Sequence, residues 1–177
     1  MRPVRRPFRA PLLVGLTIAL LSTLLLGLAR AWSPCPGYAA DDPSQTRSVF
    51  LSPYTHHWRH SDDHQPVFLL GAQRHLPNDR LCGISVFSNS FGQPSLYAFT
   101  GWHWPQVSQR HPRLYASLTA GVLYGYVGPH QDKVPLNVKG FSPALIPALG
   151  WRLRGDAAVE VHVLGTAALM FGLSRPF

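Results

Sequence analysis

Apolar and polar residues alternate with a period of two over most of the chain beyond residue 47. The clearest stretch is residues 114–127. One parity reads Leu114, Ala116, Leu118, Ala120, Val122, Tyr124 and Tyr126; the other reads Tyr115, Ser117, Thr119, Gly121, Leu123, Gly125 and Val127. The first face is wholly apolar and ends in tyrosines, while the second is small and mixed. A period of two with unlike faces predicts a β-strand. Similar runs place strands at roughly 48–55, 66–75, 81–88, 95–104, 113–127, 143–153, 157–164 and 167–174. A strand crosses a bilayer at a tilt in about 9–11 residues. An even number of such strands, with aromatics near their ends, predicts an all-β, eight-stranded antiparallel outer-membrane β-barrel. A secreted β-sandwich alternates equally well, because periodicity does not say which face meets water.

The start of the chain has a different pattern. Arg2, Arg5, Arg6 and Arg9 precede an apolar run over residues 11–28, followed by Ala29-Arg30-Ala31. This predicts a signal peptide over 1–31, cleaved before Trp32; the run is long enough that an uncleaved anchor is the alternative. Residues 32–47, with Pro34, Pro36, Gly37 and Pro43, read as an irregular tail, leaving 48–177 for the transmembrane barrel.

Charge changes this picture little. The net charge of +8 suggests a nucleic-acid partner until its distribution is considered. Arg2, Arg5, Arg6, Arg9 and Arg30 all lie in the leader, and the remainder carries 11 basic against 8 acidic residues, so no nucleic acid is expected. Charged residues make up 14% of the chain, against roughly 25% in soluble domains. Cys35 and Cys82 are too few for a disulfide scaffold, although export permits one bridge.

In an up-and-down barrel, the first, third and fifth connections open at the same rim. Residues 56–65 and 88–95 then bring a histidine-rich loop to face Ser88-Asn89-Ser90, with 128–142 beside them. An imidazole facing a hydroxyl can take its proton. His57 and Ser90 are the candidates, with Asn89 as a hydrogen-bonding neighbour; no G-x-S-x-G elbow surrounds Ser90. His56, His60 and His64 have helical metal-ligand spacing, but Ser61-Asp62-Asp63 and Pro66 predict a loop, and no metal site is expected. Pro53, Pro66, Pro143 and Pro147 lie at or inside the strand runs, where each removes a ladder donor. In a closed barrel such breaks let a lipid chain through the wall.

Several segments carry a resemblance. Thr55-His56-His57-Trp58-Arg59 is similar to a Thr-x-His-x-Arg segment, and Phe87-Ser88-Asn89-Ser90 to a Phe-x-Asp-Ser segment. Gly101-Trp102 follows without a gap, and Leu118-Thr119-Ala120-Gly121-Val122 and Val134-Pro135-Leu136 come after it. Over about residues 50–173 the chain resembles the PagP family of outer-membrane lipid A palmitoyltransferases. The resemblance implies transfer of a palmitoyl chain from a phospholipid donor to lipid A by a membrane-embedded monomer without a cofactor. It makes His57 the base and Ser90 the nucleophile or hydroxyl partner, with Asn89 polarising the site where the family has Asp. Gly101 becomes the floor of an acyl pocket and sets the chain length; it faces inward if Leu96, Ala98, Trp102 and Trp104 face lipid. Pro66 and Pro147 fall near gate prolines, and Arg59, Lys133 and Lys139 are placed to meet lipid A phosphates. Leu164 stands where the family has a second gate proline, and the proline-rich tail replaces an amphipathic helix. The competing expectation is a non-catalytic outer-membrane barrel for lipid binding, small-solute transport or membrane integrity.

Overall fold

The computed structural model describes Cys35 and residues 45–177; the leader and most of the tail lie outside the described residues. Eight strands form one closed antiparallel barrel in sequence order. They are β1 (Thr46–His57), β2 (Leu69–Leu76), β3 (Arg80–Ser88), β4 (Pro94–Trp104), β5 (Leu114–Tyr124), β6 (Phe141–Arg152), β7 (Ala158–Leu164) and β8 (Ala168–Pro176). Closure by β1 against β8 gives every strand a partner on both sides. The strands thus follow the predicted order, with differences at their ends, of which β1 is one: it runs from Thr46 to His57, so it takes in the last two residues of the expected tail and the first two of the expected histidine loop. Pro66 lies in the connection before β2 rather than in a strand, and β5 stops at Tyr124 because Gly125 adopts φ +137°. That backbone conformation suits glycine and turns the chain off the ladder.

The two faces of each strand differ as the alternation predicts. Leu51, Leu70, Val122, Leu145, Leu149 and Leu173 point outward and are each more than half exposed. An apolar belt of this extent around a closed barrel is the surface a bilayer covers. Inside, apolar residues gather in two clusters, Phe50 with Leu69 and Met170, and Leu81 with Tyr97 and Phe99. Large rings lie over facing glycines: Phe99 over Gly83, Phe50 over Gly172, Tyr115 over Gly150. A narrow barrel needs this pairing of large with absent side chains to fill its interior without clash. Deeper still, Tyr115 donates to Glu160 at 2.6 Å, and the other carboxylate oxygen lies 2.8 Å from His162 Nε2. The buried carboxylate is thereby paired on both oxygens, as a charge away from water must be.

One irregularity in β1 sets up the chemistry. Its register against β8 passes from Leu51↔Leu173 to Tyr54↔Phe171, so Ser52 and Pro53 together oppose Gly172. This is a β-bulge, and Pro53, which has no N–H to offer, suits its unpaired position. The extra residue reverses the facing of everything after it. Ser48, Phe50 and Ser52 face in before the bulge; Thr55 and His57 face in after it, opposite Met170 and Ala168.

The wall is also incomplete at two places in the half of the barrel where β1 ends. The β1–β2 ladder runs from Thr46↔His75 to Ser52↔Leu69 and goes no further. The β6–β7 ladder covers only Arg152↔Ala158 to Ala148↔His162, leaving Phe141 to Pro147 unpaired on that side. Pro53 and Pro147 are the first residues beyond the two ladders, where a donor would otherwise continue the pairing. The two cysteines form a Cys35–Cys82 disulfide, which ties the tail to the outward face of β3.

Candidate active site

His57 is the last residue of β1, above the last outward apolar residue of that strand, Tyr54. Ser90 sits in the short connection 89–93 between β3 and β4. The two meet at the rim: His57 Nε2 lies 2.7 Å from Ser90 Oγ. With the ring proton on Nδ1, Nε2 accepts the hydroxyl proton, the geometry that base-assisted attack needs. The first and third connections are joined beside this contact, where Gln65 N donates to the Ser90 carbonyl at 2.8 Å.

Asn89 holds Ser90 in place without touching His57. It is fully buried. Its Oδ1 accepts from Phe91 N at 2.9 Å and Gln93 N at 3.1 Å, and its Nδ2 donates to the Gly125 carbonyl at 3.1 Å. Gln93 extends the same lattice, donating from Nε2 to the Val127 carbonyl at 3.1 Å. One amide side chain thus ties the Ser90 loop to itself and to the connection after β5. The donor to Gly125 is something a carboxylate could not supply.

Around the pair is a layer of rings whose packing the sequence pattern did not reveal. The His64 ring packs on His57 with centroids 4.3 Å apart. Phe91 stacks on His130 at 4.2 Å, with Lys133 Nζ 6.0 Å from the same ring. Tyr126, expected on the lipid face, is instead turned by Gly125 so that its hydroxyl approaches Ser90. Gly125 directly before Tyr126 was the one signal of that turn. Burial pushes the Tyr126 hydroxyl up, which keeps it protonated. Burial, and then the neighbouring His64 and His56, lower the His57 imidazole below the ordinary histidine value. It is therefore neutral, and available as a base, at neutral pH.

The other candidates fall in separate places. Asp62 and Asp63 are exposed; Asp62 faces His60 at 3.5 Å, and Asp63 N donates to Ser61 Oγ, so both are engaged within their own loop. His56, His60 and His64 diverge, His56 lying against Trp58 on the outer side, and no cluster of three metal-ligand side chains occurs among the described residues. Arg59 and Lys139 are exposed on the rim connections, and Lys133 closes the short 3-10 helix over Gly128–Lys133. Pro66 lies above the end of the β1–β2 ladder, and Pro147 faces outward where the β6–β7 ladder stops. Gly101 faces inward, buried, and a Cβ there would run into the Leu118 carbonyl and Thr119 Cα of β5. Beside the β1–β2 opening, an apolar groove of about 550 Å³ is lined by Leu51, Phe68, Leu70, Val86 and Pro94.

No protein-family model matches the sequence, and no curated protein does. Among solved structures, the chain is similar to one from work on de novo design of transmembrane β-barrels. The TM-score is 0.53 at 13% identity, covering 75% of this chain and 95% of that one. At that identity the likeness is one of fold: the chain has the architecture of transmembrane β-barrels.

Proposed function

We propose that this barrel is an outer-membrane acyltransferase that moves a palmitoyl chain from a phospholipid to lipid A. The observation that carries the reading is the 2.7 Å contact between His57 Nε2 and Ser90 Oγ, set at the rim from which both wall openings descend. A histidine and a serine in contact are common in loops. Their position above a lipid-facing belt, near two stretches where the ladder is broken, supports membrane lipids as the substrates. His57 takes the Ser90 proton as the hydroxyl attacks the donor ester, and returns it to the leaving lysophospholipid oxygen; it then takes the proton of a lipid A hydroxyl as that oxygen attacks the acyl-serine ester, and returns it to the departing Ser90 oxygen. Asn89 fixes the Ser90 loop, and Phe91 with Tyr126 shields the pair from water. Arg59, Lys133 and Lys139 are in position to meet acceptor phosphates. The acyl chain packs against the Phe50, Leu69 and Met170 cluster, where the flexible Met170 can make room.

A non-catalytic barrel is the second reading. The packed interior and the buried Tyr115–Glu160–His162 network favour a membrane-integrity role over solute conduction within it. Ser90→Ala separates the two readings. Acyl transfer from phosphatidylcholine to lipid A in mixed detergent micelles should vanish in a variant that still migrates as a heat-resistant barrel. Transfer at the wild-type rate would remove Ser90 from the mechanism.

A further inference from the structure

Most buried hydroxyl groups on the described strands have a hydrogen-bond partner. Ser52 Oγ donates to the Phe171 carbonyl at 2.8 Å, Thr119 Oγ1 to Ile146 at 3.2 Å, and Thr100 Oγ1 to Leu81 at 3.2 Å. Thr55 is different. Its Oγ1 is buried and has no hydrogen-bond partner. The cause is local: the β1–β2 ladder has already ended at Ser52, so no β2 carbonyl runs alongside Thr55, and across β8 it faces the apolar Met170. A buried hydroxyl left without a partner destabilises the fold, and native structures keep such groups at few positions.

The position of this hydroxyl suggests its use. Thr55 precedes His57 by two residues on the same inward face, which places it roughly 7 Å further down the strand. It therefore lies one inward position below His57, on the stretch of β1 beyond the end of the β1–β2 ladder. Building on the acyl-transfer reading above, we infer that Thr55 is a further catalytic residue, whose hydroxyl donates a hydrogen bond to the carbonyl oxygen of the donor ester. When Ser90 Oγ bonds to the ester carbon, its proton passes to His57 Nε2 and the carbonyl π pair moves onto that oxygen. The Thr55 donor stabilises the negative charge as it forms. Collapse restores the carbonyl, breaks the bond to the glycerol oxygen, and the leaving oxygen takes the proton from His57. A preorganised donor that no protein acceptor competes for loses nothing when it turns to the substrate.

The test uses Thr55→Val, which keeps the shape and removes the hydroxyl, together with Thr55→Ser, which keeps the hydroxyl. Transfer from dipalmitoyl phosphatidylcholine to lipid A in mixed detergent micelles is followed, and thermal unfolding is measured on the same preparations. The expected result for Thr55→Val is a fall in kcat of about 10²–10³-fold, with KM little changed and an unfolding midpoint equal to or above wild type. Thr55→Ser should keep most of the kcat. A fully active Thr55→Val overturns the inference, as does one whose loss of activity accompanies a lowered midpoint, the sign of a structural hydroxyl. Wild-type protein that transfers nothing overturns the acyl-transfer reading itself, and this inference with it.

Discussion

Changing Asn89 to Asp restores the residue that the resembling family carries, and the structure predicts that it will do harm. The asparagine is fully buried, with Oδ1 occupied by two backbone N–H groups and Nδ2 donating to the Gly125 carbonyl at 3.1 Å. The introduced carboxylate keeps the first two bonds and loses the third. It also sets a charged oxygen against the Gly125 carbonyl and near Gln93 Oε1, which lies 3.4 Å from Nδ2. Gln93 cannot turn its amide round without giving up its own bonds to Val127. Losing the bond costs about 0.5–1.5 kcal/mol, and leaving a buried acceptor unmet about 1–3 kcal/mol. The anion's stronger bonds to the two N–H groups offset part of this, leaving a net cost of about 2 kcal/mol. The penalty has a pH signature. A protonated carboxyl can donate to Gly125 as the amide does, so the folded protein favours the protonated form and raises the pKa of the new side chain. The variant should match wild type below about pH 4 and weaken as pH rises past it. Urea titrations across pH, with transfer assays beside them, check this. An Asn89→Asp protein as stable as wild type at pH 7 and more active would refute the positioning role given to Asn89.

Other perturbations test separate parts of the account. Because Pro53 is the surplus residue of the β1 bulge, deleting it should restore plain alternation with Thr55 and His57 still facing in; the deletion variant should keep transfer within a few-fold, and an intact but inactive barrel would contradict the bulge assignment. Activity should be flat through neutrality and fall only at pH below the ordinary histidine range, since His57 is lowered and acts in its neutral form. His64→Phe keeps a ring against His57 but removes a like charge, so the acid limb should move to higher pH; an unmoved limb would take His64 out of the site's electrostatics. Gly101→Ala should lower barrel stability by about 1–3 kcal/mol because its methyl group meets the β5 backbone; a stable variant that simply accepts shorter chains would make Gly101 a pocket floor and nothing more.

Much of the architecture was legible from alternation alone, because strand period and burial are coupled residue by residue. The apolar parity of residues 114–124 is the outward face of β5, and Gly101 points inward as the positions of Leu96, Trp102 and Trp104 require. The meeting of His57 with Ser90 followed from strand order, since consecutive antiparallel strands put the first and third connections at one rim. Pattern failed where a single residue breaks the period. The bulge at Pro53 decides which of His56 and His57 faces in, and alternation carried through from Leu51 would choose His56. The turn at Gly125 moves Tyr126 from the lipid face to the site. Contacts made through loops, such as Asn89 to Gly125 and His64 to His57, have no periodicity to betray them. Thr55 belongs to a segment visible in the sequence, yet its unpaired hydroxyl depends on where a ladder ends, which is a property of two strands together.

The most direct measurement is mass spectrometry of lipid A from a host lacking its own palmitoyltransferase, expressing either this protein or its His57→Ala variant. Acyl transfer by the His57–Ser90 pair predicts a gain of one palmitoyl mass with the native chain and none with the variant, both being folded in the outer membrane. Unchanged lipid A in cells carrying the folded native barrel would contradict it.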